Sequence, residues 1–259
     1  MRWALSILLS LIVPGAAAQS FPTRPPTMIV PYAPGGTGEL LGRQMGIEMA
    51  KTFGHNVVIE LRPGAGGNIG AELVAKQAKN DGYTVLFAAS SLATSVSLMK
   101  LNFDPRKDLV PVAGVAAIPN LVVVSAESPI RNMTELAAAA RKNDPPVTFG
   151  SSGPGTGSHL AAELFKAQAG VPMTHVPYKG SGVVYPDLIA NRLTVLFEVM
   201  GGAALSQVKS GKVRPIGISS LKRSASLPEV PTIAEQGFPG FEFVTWFGFF
   251  APAGTPADV

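Results

Sequence analysis

Three glycine-rich turns constrain this chain more than any other feature. They are YAPGGTGELLGR (residues 32–43), RPGAGGNIGAE (62–72) and GSSGPGTGSHL (150–160), and each joins a short apolar run to a stretch of helical periodicity. The first N–H groups of a helix lack an internal partner, and that end of the helix dipole is positive. Glycine lets a ligand approach the main chain closely. A carboxylate or phosphate can therefore dock at such a turn without a cationic side chain. Thr37, Ser151, Ser152, Thr156 and Ser158 add hydroxyl donors. In an open α/β sheet, turns of this kind gather at the carboxyl ends of the strands, where ligands bind.

The intervening segments support that class. TMIVPYA, NVVIELR, YTVLFAAS, LVVVSAE, VTFGSS, LTVLFEV and VRPIGISS read as short strands. Helical spacing runs through ELLGRQMGIEMAKTFG, with Leu40, Leu41, Met45 and Met49 on one side and Gly54 as a stop. NIGAELVAKQAK, with Ile69, Leu73 and Val74 as its apolar face, and HLAAELFKAQAG read likewise. MTELAAAARKN is a helix for which Thr134 is the expected N-cap. Strands alternating with helices predict an α/β architecture with mainly parallel sheet. AAIPNLVVVSAESPI is placed to carry a crossover between two lobes, and SLKRSASLPEVPT a return crossover. GTPADV reads as a helix start, with Thr255 capping and Pro256 in the first turn, so the chain is expected to be truncated at its C-terminus.

Residues 1–18 read as a secretory signal peptide. Arg2 precedes the apolar stretch Ala4 to Val13, and Ala16-Ala17-Ala18 offers a cleavage site before Gln19. The stretch is shorter than the roughly 20 residues of a membrane-spanning helix. An exported chain without cysteine relies on its core alone, and the periplasm fits both features. The net charge of +4 is spread without basic runs, which argues against nucleic acid as a partner.

Several chemistries fit poorly. GPGTGSH lacks the lysine of a phosphate-binding P-loop, and GAGGNIG lacks the G-x-G-x-x-G register. An exported serine hydrolase using Ser152 and His159 is the rival enzyme reading. A G-x-S-x-G elbow is absent, however: Gly150 and Pro154 flank Ser152, and Phe149 and Gly153 flank Ser151. His159 reads instead as a first-turn residue bonding locally. His55, His159 and His175 are far apart in sequence, and no carboxylates cluster with ligand spacing, so no metal site is expected. Glu39 complements its helix dipole. Glu198 follows a buried strand and needs a partner: a ligand amine or hydroxyl, a backbone donor, or a bracing role at the interlobe turn. Tyr178 either walls a cleft or fills the core, and Lys179 either supplies a cation or is solvated.

MIVPYAPGGTGELLGR, RPGAGGNIGAELVAKQAKNDGYTVLF, GSSGPGTGSHLAAELFK, HVPYKGSG, SLPEVPTIAEQGFPGFE and WFGFFAPAGTP, in this order, resemble the Bug-type (TctC-like) receptors of tripartite tricarboxylate transporters. The resemblance spans nearly the whole chain after residue 18. It implies a two-lobed periplasmic binding protein of Venus-flytrap form, with residues 19–123 in the first lobe, 124–225 in the second, and 226–259 returning incompletely to the first. It implies a small carboxylate ligand, often held through ordered water, delivered to integral-membrane transporter subunits. A receptor feeding a sensor kinase is the alternative. No catalytic residue, cofactor or metal is implied. Carried over residue by residue, the carboxylate grip is Gly36, Thr37 and Gly38 on one side and Ser151, Thr156, Gly157 and Ser158 on the other. Ser90 and Ser91 match a polar position at the cleft edge, and Tyr32, Tyr178 and Glu198 complete the candidate set. Two departures stand out: Gly38-Glu39 where the family often has Ser/Thr-Asp, and Glu198 where it commonly has Asp. The family also continues for several dozen residues past this end.

Overall fold

The computed structural model describes residues 21–259; the expected signal peptide lies outside these. The elements run β1 (Thr27–Val30), α1 (Thr37–Phe53), β2 (Val58–Leu61), α2 (Asn68–Gln77), β3 (Thr84–Ala89), α3 (Ser91–Leu98) and α4 (Pro105–Asp108). They continue through β4 (Leu109–Ser125), α5 (Met133–Lys142), β5 (Thr148–Ser151), α6 (Gly157–Ala169), β6 (Thr174–Pro177) and α7 (Tyr185–Ile189). The last four are β7 (Val195–Val199), α8 (Gly202–Lys209), β8 (Val213–Ile218) and β9 (Val244–Pro252).

Two sheets form the two lobes. In the first, β2, β1 and β3 pair in parallel, and β9 then β4 continue it antiparallel. In the second, β6, β5 and β7 pair in parallel, and β4 joins β7 and β8 antiparallel. Parallel pairing thus holds for the βαβ half of each sheet, where helical crossovers require it. The other half is antiparallel because β4 runs directly from one sheet into the other, pairing β9 in the first and β7 and β8 in the second. The 17-residue β4 belongs to both sheets, its first part pairing β9 and its last part β7 and β8. The expected crossover segment is therefore a continuous strand.

Each sheet is covered on both faces, so its strands read as unbroken apolar runs. In the first lobe, Met28, Val30 and Phe87 meet α1, while Ile29 and Leu86 face Val74 of α2 and Leu92 of α3. In the second, Val122, Phe149 and Phe197 pack with Leu136 of α5 and Phe165 of α6. Leu121, Val123 and Leu196 pack on the other face with Leu188 of α7 and Ala204 of α8.

Three local expectations are corrected. The buried stripe of α1 is Gly38, Gly42 and Gly46, one every fourth residue, while Leu40 is 44 % exposed. A Cβ on Gly42 would sit 2.8 Å from Val30 Cγ2, and one on Gly46 would sit 2.8 Å from Ile59 Cδ1. The helix lies too close to the sheet for side chains there, and Leu41, Met45 and Met49 pack from the side. The cap of α5 is Asn132, whose side chain accepts from the Glu135 amide at 2.8 Å; Thr134 donates to the Gln236 carbonyl instead. Residues 253–254 and 257–258 form turns rather than a helix, with Thr255 Oγ1 donating back to Pro252 O at 2.8 Å.

Candidate functional site

The glycine-rich turns converge. A cavity of about 520 Å³ lies at the carboxyl ends of the parallel strands, between the lobes. Gly36, Thr37 and Gly38 wall one side, residues 63–67 of the second turn close an end, and Ser152, Gly153, Pro154, Thr156 and Gly157 form the opposite side. Residues 177–181, Glu198, Thr245 and Phe247 complete it.

Helices α1 and α6 therefore point their amino ends at one space from opposite lobes. Gly36 precedes α1 in an extended conformation, and Thr156 precedes α6 in the same way; neither helix has a side-chain cap. The amides of Thr37, Gly38, Gly157 and Ser158 have no acceptor among the described residues. These are the groups an anion would take. Two glycines are required by close approach. A Cβ on Gly38 would lie 2.4 Å from the Tyr32 ring, and one on Gly157 would lie 2.1 Å from Thr245 Oγ1. The serine or threonine common in the family at the first of these positions has no room beside this tyrosine. Glu39 turns away from the cavity: buried, it accepts from the Gly35 amide at 3.4 Å and pairs with Arg43.

Tyr32 stands across the cavity floor. Its hydroxyl accepts from the Ala89 amide at 2.5 Å, its ring meets Phe247 edge-on, and burial holds the phenol well above its ordinary range. Tyr178 is on the wall and donates to Asp187 Oδ2 at 2.7 Å; burial pushes it up to about 12. Lys179 lines the mouth and is exposed. Glu198 is on the wall yet only 2 % exposed, and its Oε2 has no partner among the described residues. Burial raises its carboxyl to about 7, against the opposing influence of the Ser181 hydroxyl and the Val199 amide. Near it, the Tyr185 hydroxyl is also buried without a partner among the described residues.

Other candidates lie off the wall. Ser91 lines the cavity, but Ser90 does not; its amide donates to Trp246 O at 3.0 Å. Ser151 is fully buried. It shares a face of β5 with Phe149 and bonds His175 Nε2 at 2.6 Å, and Ser152, beyond the strand end, takes the wall position. The Ser158 hydroxyl ties the third turn together, accepting from Ser152 N at 2.9 Å and sharing a hydrogen bond with Thr156 Oγ1 at 3.0 Å. Wall residues that sequence reasoning missed are Ser181, Thr245 and Phe247. The glycine before Ser181 carried the same turn signal, whereas nothing local marked Thr245.

Two of the histidines, far apart in sequence, meet in space. His159 and His175 stack with ring centroids 4.1 Å apart, against Phe149. Their 16-residue separation in sequence is closed because α6 folds back between the parallel strands β5 and β6. The Ser152–His159 pair of the hydrolase reading is not formed: Ser152 Oγ bonds Ser158 Oγ, and His159 Nδ1 accepts from Gly155 N at 3.2 Å.

Contacts cross between the lobes on both flanks of the cavity. Thr37 Oγ1 reaches Val199 O at 3.4 Å, and Thr94 Oγ1 donates to Gly155 O at 3.2 Å. Where β4 passes from one sheet to the other, fully buried Asn120 donates its amide to Ser219 Oγ (2.7 Å) and accepts at Oδ1 from Thr245 Oγ1 (3.3 Å).

The family model described as tripartite tricarboxylate transporter family receptor matches residues 41–259. A UPF0065 protein from the tcbD-tcbE intergenic region of Pseudomonas sp. (strain P51) is 40% identical, over 100% of this chain and 78% of that protein. Among solved structures, R. palustris Rpa4515 with adipate superposes with a TM-score of 0.87 at 35% identity, covering 92% of this chain and 80% of that one. The periplasmic binding protein BugD superposes at 0.83 with 34% identity, covering 92% and 79%.

Proposed function

This chain belongs to the tripartite tricarboxylate transporter receptor family, and from that premise we propose that it is a periplasmic receptor that closes on a small carboxylate and delivers it to a membrane transporter. One observation carries the reading: first-turn amides of α1 and α6, without an acceptor among the described residues, face a common cavity from opposite lobes. A carboxylate between them accepts hydrogen bonds from both lobes at once, so ligand and closure stabilise each other. Thr37, Ser91, Ser152 and Thr156 add hydroxyls, directly or through ordered water. The rest of the ligand lies among Tyr32, Tyr178 and Phe247, with the Glu198 carboxyl as the acidic acceptor of the wall. Adipate, the ligand of one structural neighbour, is the first probe.

The test is a thermal-shift and calorimetric screen of small carboxylates, adipate included, on the wild type and Gly36→Val. A bound ligand at about a hundred times its Kd stabilises the wild type by about 2.7 kcal/mol. A Cβ at residue 36 already meets Ser181 Oγ at 3.3 Å, so valine crowds the grip and should abolish the shift. No shift with any carboxylate, or equal binding by Gly36→Val, refutes the reading. Delivery is read from carboxylate uptake in cells lacking the receptor, and unchanged uptake refutes that part.

A further inference from the structure

The third turn owes its shape to two groups outside the cavity. Its Gly155 amide donates to His159 Nδ1 at 3.2 Å, so that nitrogen carries no proton. Its Gly153 amide donates to Ser151 Oγ at 3.2 Å, and Ser151 Oγ lies 2.6 Å from His175 Nε2. Ser151 is fully buried, and His175 is the acceptor its hydroxyl proton can reach. The satisfied arrangement is a relay from Gly153 N–H to Ser151 O–H to an unprotonated His175 Nε2. The two rings are stacked at 4.1 Å. The Gly155 bond thus uses His159 Nδ1 as its acceptor directly, and the Gly153 bond rests on a Ser151 hydroxyl whose proton is aimed at His175 Nε2; both supports are altered when those nitrogens gain protons.

We infer that His159 and His175 are proton-sensitive positioning residues: only while both rings are uncharged does the Gly153–Gly155 turn hold α6's first amides toward the cavity. Protonating His159 sets a ring N–H against the Gly155 N–H, and protonating His175 turns an acceptor of Ser151 into a donor. Two protonated rings would also repel at stacking distance. The charged groups nearest the pair are both on α6: Glu163, whose Oε1 is 3.9 Å from His159 Nε2, and Lys166, which is itself paired with Glu163. From the sheet, Phe149 and Ser151 face the pair and carry no charge. Burial lowers both imidazoles, His175 to about 4, so the pair is uncharged at neutral pH and the turn is released in acid. The consequence for ligand release rests on the carboxylate-receptor reading; the coupling of the rings to the turn does not.

Two measurements separate these. In the unliganded protein, NMR follows the imidazole C–H signals and the Gly153 and Gly155 amides from pH 7.5 to about 3, a pH unit below the His175 midpoint. The inference expects the glycine amides to move with the imidazole titration. Flat glycine amides beneath titrating rings overturn it, and leave the receptor reading standing. In the second, calorimetry with adipate compares wild type and His175→Gln, whose side-chain oxygen accepts from Ser151 without titrating. Wild-type affinity should fall by about tenfold more than that of the variant on acidification, the loss of one to two hydrogen bonds. The ligand's own protonation is common to both proteins. Parallel pH profiles overturn the inference, whereas absence of binding at neutral pH refutes the receptor reading and leaves the NMR result to decide the coupling.

Discussion

Glu198→Gln measures what the buried carboxyl costs the unliganded fold. A carboxyl that titrates near 7 in the folded chain, against an ordinary 4.5, is held more tightly by the proton in the folded state than in the unfolded one. Folding then takes up protons between those values, and stability falls as pH rises through that window. Once ionisation is complete, at about pH 8, the cost is about 3 kcal/mol, from about 1.4 kcal/mol per pH unit. Below 4.5 it vanishes. Glutamine does not titrate, so this component is absent from the variant, whatever constant penalty its amide adds. The assay is urea unfolding of both proteins at pH 5, 6, 7 and 8. The wild-type free energy should decline relative to the variant by about 2.5 kcal/mol over the range, or about 5–10 °C in Tm for a chain of this size. Curves parallel to within about 0.5 kcal/mol would show that Glu198 keeps an ordinary pKa and finds a partner for Oε2, and the reasoning would fail.

Other outcomes follow from geometry. Gly157→Ala places a Cβ against buried Thr245, between lobes, and should cost about 1–3 kcal/mol of stability and weaken carboxylate binding. Adding Thr245→Ala should return at least half of that loss, and additive effects in the double-mutant cycle would refute the contact. Asn132→Ala should destabilise by about 1 kcal/mol through loss of the α5 cap, measured by urea unfolding.

The strand–turn–helix order, the three glycine turns and the poor fit to nucleotide or hydrolase chemistry were legible in the residues, because each rests on neighbours a few positions apart. Period-two and period-3.6 patterning locates elements, and a glycine turn before a helix declares free amides whatever the rest of the chain does. So Gly36, Thr37, Gly38, Thr156 and Gly157 were read as candidates and lie on the cavity wall. Pairing was not legible. That β4 serves both sheets, making half of each antiparallel, follows from long-range contacts with β7, β8 and β9. Strand parity sent Ser151 into the core and left the wall to Ser152, a difference of one residue that composition does not encode. The register of β5 against β6, with Phe149 opposite His175, brought two distant histidines together beneath the third turn. Local chemistry depends on the backbone's immediate neighbours and is written in sequence. The meeting of Thr245 with Gly157, or the placing of Glu198 on the cavity wall, depends on how whole sheets pack, and only the tertiary structure decides it.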